Sequence, residues 1–297
     1  MFNPKLNGSN SVNLVLPQRA TSPRSFVLLA PPEAPNYGRF QKVVRDNGLF
    51  RRLQSSMQRM RGRIYLEDGA ITRSDLAADG RHVLPSDEQS WHLLTVDDAG
   101  SVVGCTRFLR HQHRDLNFDG LRVRSAAIAS SPNWGAKLRM MIEDEITKAR
   151  TAGFAYVEVG GWALDKATRC TSDCVRGVLA TFAWSRLLGG ALGICTATER
   201  HHSAMILQKL GGRSFEFDGE AMPAYYDERY GCRMHLLRFD SRTPNPRYEE
   251  SIARIENTLR SVPVVSPDGP VWRTFARSLY PLSDATLMPP GVIAGLV

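Results

Sequence analysis

The sequence predicts an α/β fold in which one central mixed β-sheet is flanked by helices, and two patterns predict it. A tightly turned pair of apolar strands over residues 91–110 is followed by strand, helix, strand, helix and strand in alternation. Hydrophobic residues at 42% and charged residues at 23% supply a core of the ordinary soluble kind for 297 residues. The organisation expected is a polar N-terminal arm over 1–24, a single domain over 25–240, and a C-terminal extension over 241–297 that packs on that domain.

Each element has its local reason. Residues 1–24 are rich in Asn, Ser, Pro and Arg and carry no apolar period. From Tyr37 the pattern reads as helical. On a 100° wheel, Phe50, Leu53, Met57, Met60 and Ile64 form an apolar stripe, and Arg52, Arg59 and Arg63 form a basic ridge beside it. "SWHLLTVDDAGSVVGCTRFLR" gives two strands around the turn residues Asp98 to Ser101. "HQHRDLNFDG" is a polar loop and "LRVRSAAIA" reads as a further strand. "WGAKLRMMIEDEITKARTAG" is a helix stopped by Gly153, with Leu138, Met141, Ile142, Ile146 and Ala149 inward.

The strand "FAYVEVGGWAL" sets Val157 and Val159 on one face and Tyr156 and Glu158 on the other, which puts a carboxylate on a buried strand. A helix follows from Cys174 to Leu188, stopped by Gly189 and Gly190. "ALGICTA" is a strand, "HHSAMILQKLGG" a short helix, "CRMHLLRFD" a last strand, and residues 248–259 a helix in the extension.

Several function classes are excluded at this level. No apolar run approaches the ~20 residues that cross a bilayer, and the N-terminus lacks the basic and apolar segments of a secretory leader, so the expected location is cytoplasmic. Five cysteines in no dense pattern suit a reducing compartment, and Cys170 with Cys174 lacks the second pair that a zinc site needs, so no metal is expected. A net charge of +8 asks for an acidic partner or substrate. The arginines are not interleaved with aromatics as in single-strand nucleic-acid platforms.

The stretch from Gly160 to Gly190 raises the chemical question, because Arg169, Cys170, Thr171, Ser172, Asp173 and Cys174 lie between a strand and a helix. The first turn of a helix presents unpaired N–H groups to an anion. The same residues also serve as plain helix caps. The paired Gly160 and Gly161 mark a bulge where a strand splays, and their N–H groups are candidates to hold an oxyanion. Glu158 is either a general base or the partner of an arginine such as Arg107.

This order of motifs resembles the GNAT acyltransferase superfamily, and within it the acyl-homoserine-lactone synthases and the long-chain N-acyl amino acid synthases. The resemblance spans roughly residues 50–240. Arg169 matches the start of the superfamily's pyrophosphate loop, while Ser172 and Cys174 stand where its small glycines are usual. The helix position that commonly carries a tyrosine is Leu207, which leaves His201 or His202 to assist a departing thiolate, or neither. Arg61 and Arg63, then Asp87 and Glu88, then Gly104 and Arg107, then Glu158 follow in the order of the autoinducer-synthase branch.

The resemblance implies an N-acyltransferase that takes a medium or long acyl chain from acyl carrier protein, or from CoA, to the amine of an amino acid or related molecule. A lactone-forming autoinducer synthase and a catalytically silent acyl-binding module are the alternatives. No permanent cofactor is implied; acyl-phosphopantetheine is the co-substrate. Glu158 would be the base, Arg107 would meet the amino-acid carboxylate, and Arg169 with residues 170–174 would hold the pantetheine phosphate. Arg63 and Glu88 would bind substrate, Trp134 and Trp162 with the apolar residues of 121–128 would line an acyl channel, and the ridge Arg52, Arg59, Arg63 would dock the acidic carrier.

Overall fold

The computed structural model describes residues 24–267 apart from 33, 35, 36, 112–114, 170 and 171. The arm, except Arg24, the tail beyond 267, and Cys170 and Thr171 lie outside the described residues.

The chain opens with strands β1 (Ser25–Leu29) and β2 (Lys42–Arg45) and the long helix α1 (Asn47–Glu67). The hairpin β3 (Trp91–Val96) and β4 (Val102–His111) leads to helix α2 (Gly135–Thr151) and strand β5 (Ala155–Leu164). The single turn α3 (Lys166–Arg169), helix α4 (Ser172–Leu187), strand β6 (Ala191–Thr198) and helix α5 (Ser203–Leu210) follow. After three short strands, β7 (Arg213–Ser214), β8 (Glu216–Phe217) and β9 (Glu220–Ala221), come β10 (Tyr225–Asp227), β11 (Cys232–Asp240), helix α6 (Glu249–Ser261) and β12 (Pro263–Ser266).

Ten of these strands form one mixed sheet in the order β10-β11-β6-β5-β4-β3-β1-β12-β2, with β7 also on β11. Alternation along the strands divides the core by face. Leu94, Cys105 and Tyr156 pack with the buried stripe Phe50, Met57, Met60 and Ile64 of α1 and with Leu138, Ile142 and Ile146 of α2. Trp91, Leu93, Phe108 and Val157 pack on the opposite side with α4 and α6. There Trp184, fully buried, lies with its ring centroid 4.8 Å from that of Phe108 and 5.8 Å from that of Trp91.

Three sequence expectations are corrected. The helix expected from Tyr37 begins only at Asn47, where the Asp46 side chain accepts the Leu49 N–H at 2.8 Å. Residues 42–45 are instead a strand, because β12 pairs with them in parallel from Pro263↔Lys42 to Ser266↔Arg45. That partner lies some two hundred residues away, beyond the reach of any local pattern. "LRVRSAAIA" is no strand but two 3₁₀ turns, Arg122–Ser125 and Ala127–Ser130. Its first N–H groups go to a carboxylate rather than to a ladder, as described below. The extension after Asp240 does more than pack on the domain: β12 enters the sheet between β1 and β2.

Gly193 of β6 lies opposite Val157, and a Cβ there would stand 2.3 Å from Val157 Cγ2 and 2.4 Å from its carbonyl oxygen. Backbone and a β-branched side chain cannot both yield. Gly193→Ala is therefore expected to destabilise the fold by about 3 kcal/mol, read as a drop of several degrees in Tm against wild type.

Candidate functional site

The site follows from how β5 is paired. Its first four residues pair in parallel with β6, from Ala155↔Ala191 to Glu158↔Ile194, and there that ladder ends. Beyond it β5 stays with β4 while β6 stays with β11 as far as Thr198↔Met234. The register on β4 slips by one between Cys105↔Ala163 and Arg107↔Gly160, so Gly161 and Trp162 face the one residue Thr106. Gly161 has φ +65°, and a Cβ there would come within 3.1 Å of Arg107 Cβ. Glycine removes the conformational penalty and makes room for that approach.

A groove opens where β5 and β6 part. It has an outer and an inner chamber, and Trp162, Thr198 and Ser203 line both. The inner chamber is bounded by Val159, Gly160, Val178, Cys195 and Leu207. Burial pushes the Cys195 thiol up to about 12, so it stays protonated and behaves as a small apolar group. The outer chamber is polar at its rim, where Tyr65, Asp68, Arg169, Arg200, His201 and Tyr230 meet.

The rim is cross-tied. Arg169 grips Asp68 through two hydrogen bonds of 3.1 and 2.7 Å and donates a third, from Nε, to the Leu164 carbonyl at 3.1 Å. Arg200 donates to the Asp68 carbonyl and the Tyr230 carbonyl, both at 2.7 Å. His201 Nε2 lies 3.3 Å from Arg169 Nη1 and 3.4 Å from Asp68 Oδ1. Helix α4 begins at Ser172. Asp173 in its first turn is paired with Arg24 and, at 3.8 Å, with Arg176, while Cys174 is buried against the outer chamber.

Beneath the groove, on the α1 face, runs a buried polar network. Arg61 and Asp87, 0% and 1% exposed, form a bidentate pair at 3.1 and 2.7 Å. Asp87 also accepts from Gln58 Nε2 and from the Leu84 N–H. Arg107 and Arg122 both donate to Ser86 Oγ, at 3.2 and 2.6 Å. Glu158, 1% exposed, accepts the Arg122 N–H on both oxygens at 3.0 Å, the Val123 N–H at 3.2 Å, and shares a 3.0 Å hydrogen bond with His111 Nε2.

The sequence-predicted residues therefore divide. Gly160, Trp162, Arg169 and Cys174 line the groove. Glu158 and Arg107 do not; Glu158 anchors the 3₁₀ turn at Arg122 rather than pairing with Arg107, and Arg107 is sealed beneath the bulge, where it cannot meet a substrate carboxylate without rearrangement. Trp134, with Leu121, Val123 and Ile128, is core under α2 and lines neither chamber of the groove, its ring covered by Lys137 Nζ at 4.7 Å. Arg63 reaches out to Asp165 at 2.6 Å and Glu67 at 3.7 Å, and Glu88 is exposed while its neighbour Asp87 is buried. The basic ridge is partly neutralised, since Arg59 pairs with Asp79 at 3.1 Å as Arg63 does with Asp165. Missed from the sequence were Asp68, Arg200, Tyr65 and Tyr230. Asp68 and Gly69 follow the apolar stripe of the long helix, and nothing in their local pattern marks Asp68 as a rim residue.

No protein-family model matches the chain, and no curated protein matches it. Among solved structures it is similar to a CoA-dependent acyl-homoserine lactone synthase, BjaI, solved with SAM and isopentyl-CoA: 13% identity, 86% of this chain and 99% of that chain covered, TM-score 0.48. It is also similar to FeeM, an N-acyl amino acid synthase from uncultured soil microbes, at 13% identity over 75% of this chain and 93% of that one, TM-score 0.42. A third is the AHL synthase LasI, at 17% identity over 64% and 84%, TM-score 0.39.

Two consequences of the buried network are measurable. Glu158→Gln sets an amide donor against the N–H groups of Arg122 and Val123 and is expected to cost about 2 kcal/mol in chemical denaturation. The second concerns pH. Burial, reinforced by Arg61, pushes His82 down to about 4, and burial does the same to His92 against a smaller upward pull from Asp87. An unfolded histidine titrates near 6.5, so between pH 6.5 and 4 the unfolded chain takes up protons that the folded chain refuses. Stability should fall as pH is lowered through that window, on the order of 3 kcal/mol per histidine. Burial alone would raise the Asp87 carboxyl, but Arg61 outweighs it and holds the group well below the carboxylate range, so its contribution stays constant until pH falls below 3.8. Glu145 and the more exposed Glu88, both raised by burial, act in the opposite sense. A Tm that is higher at pH 5 than at pH 7 would contradict this balance.

Proposed function

We propose that this chain is an N-acyltransferase that moves a medium or long acyl chain from a pantetheine thioester, on acyl carrier protein or CoA, to the amine of an amino acid or related small molecule. One observation carries the reading: β5 and β6 part after Glu158↔Ile194 and enclose a groove that is apolar at depth and cationic at its mouth. An acyl-pantetheine is a narrow chain, apolar at one end, amide-bearing in the middle and anionic at the other. The facing edges of the diverged strands have no ladder with one another, and a pantetheine lying as an intervening strand would satisfy their backbone groups. Arg169, beside the first turn of α4, suits the phosphate once its grip on Asp68 is shared.

The reaction asks little further. The amine nitrogen attacks the thioester carbonyl, the C–N bond forms as the C–S bond breaks, one amine proton is lost and the departing thiolate gains one. The N–H groups at the Gly160–Gly161 bulge are the donors best suited to the carbonyl oxygen. The inner chamber suits the acyl chain, with Trp162 at its entrance. The order of Arg61, Asp87, Arg107 and Glu158 in the sequence adds support, though in this reading those four hold the sheet under the groove and do not touch the substrate.

The test is to incubate the purified chain with acyl carrier protein or CoA thioesters and a panel of amino acids that includes SAM, whose sulfonium can leave on lactone closure, and to look for amides by mass spectrometry. An amide product is expected; a lactone would assign the autoinducer alternative, and binding without turnover would assign the silent module. Arg169→Ala is expected to raise KM for the thioester about tenfold with kcat little changed, because a phosphate contact is equal in the ground and transition states.

A further inference from the structure

The aminolysis proposed above needs a group that takes a proton from the amine and returns one to the thiolate, and the buried Glu158 does not reach the groove. We infer that His201 is that group and that Asp68 positions it, an inference that rests on the acyltransferase reading. The backbone marks the place. His201 and His202 have φ of +53° and +59°, and with Asp218 they are the only non-glycine residues in the left-handed region among the described residues. L-residues adopt that region at a cost, and such strain collects at functional sites. The neighbouring turns at Gly189, Gly190 and Gly211 use glycine for the same purpose. Of the two histidines only His201 lines the groove; His202 is the exposed N-cap of α5 and gives no side-chain cap.

The surroundings of the ring suit proton transfer. Asp68 Oδ1 stands 3.4 Å from Nε2 and Arg169 Nη1 stands 3.3 Å from the same atom. With the proton on Nε2 and directed at Asp68, Nδ1 carries the lone pair that accepts the amine proton; the imidazolium keeps its Nε2–H on Asp68 and releases the Nδ1 proton to the thiolate sulfur. The ring ends the cycle as it began, and the balance requires no other reactant. In the other tautomer Nε2 accepts from Arg169. A phosphate drawing the Arg169 guanidinium away leaves Nε2 to Asp68, so thioester binding itself selects the competent tautomer. Asp68 is thus a positioning residue, held through its own carbonyl by Arg200 and released by Arg169 as the phosphate binds.

The experiment uses the full chain and His201→Gly, because glycine tolerates φ +53° and removes the imidazole without straining the turn. With wild type active on an acyl thioester, His201→Gly is expected to lower kcat by about 10² to 10⁴ at undiminished Tm, and added imidazole is expected to restore turnover in proportion to its concentration. Asp68→Asn is expected to lower kcat, with ¹⁵N spectra of the His201 ring showing loss of the Nε2–H tautomer. Undiminished turnover in His201→Gly, or a loss that imidazole does not repair, overturns the role of His201 and leaves the acyltransferase reading standing. A wild type that transfers no acyl group from any thioester overturns both.

Discussion

The arrangement of the site depends on one backbone constraint, the extra residue at Gly161 that slips β5 against β4. A strand in the middle of a sheet cannot serve two neighbours at full length and also leave an opening. Here β5 keeps its antiparallel partner throughout and abandons its parallel partner after four residues. The slip needs a left-handed residue with no side chain, since the Arg107 backbone lies directly against it. Trp162 is carried by the same bulge and becomes one of the residues common to both chambers.

The opened strands need support from below, and the support is ionic. Arg61, Arg107 and the half-buried Arg122 sit with Asp87 and Glu158 on the α1 face. Removing one member of such a set leaves an uncompensated charge, whereas the intact set gains little over an apolar core. What it supplies instead is position: the segment before β3 and the 3₁₀ turns after β4 are each pinned by a carboxylate receiving several N–H groups. His111 closes the same network at the end of β4.

Much of the fold was legible because its elements obey local periods. The α1 stripe, the hairpin, the helix stopped at Gly153 and the glycine-marked bulge all follow from residue spacing alone. The rest depended on distant partners. β2 exists because β12 reaches it, and Arg122 forgoes a strand because Glu158 captures its N–H. The site was half legible for the same reason. Gly160, Trp162 and Arg169 announce themselves by position, but a buried strand carboxylate has the same pattern whether it faces a substrate or a loop. Asp68 and Arg200 act at the rim only because the end of α1 meets the end of β6, a coincidence of tertiary packing.

The seating of β12 between β1 and β2 also bears on how the chain assembles as it is made. β1 can settle on the hairpin once β3 emerges, but β2 has no neighbour in the sheet until residues 263–266 have been synthesised. Sequence-distant pairing of this kind is slow, and it leaves apolar strand edges open in the meantime. The groove, whose walls all lie between Ile64 and Tyr230, can form before that final strand closes. Maturation of the site and completion of the sheet are thus separable events, and the second sets the time at which the polypeptide stops being vulnerable to aggregation and proteolysis.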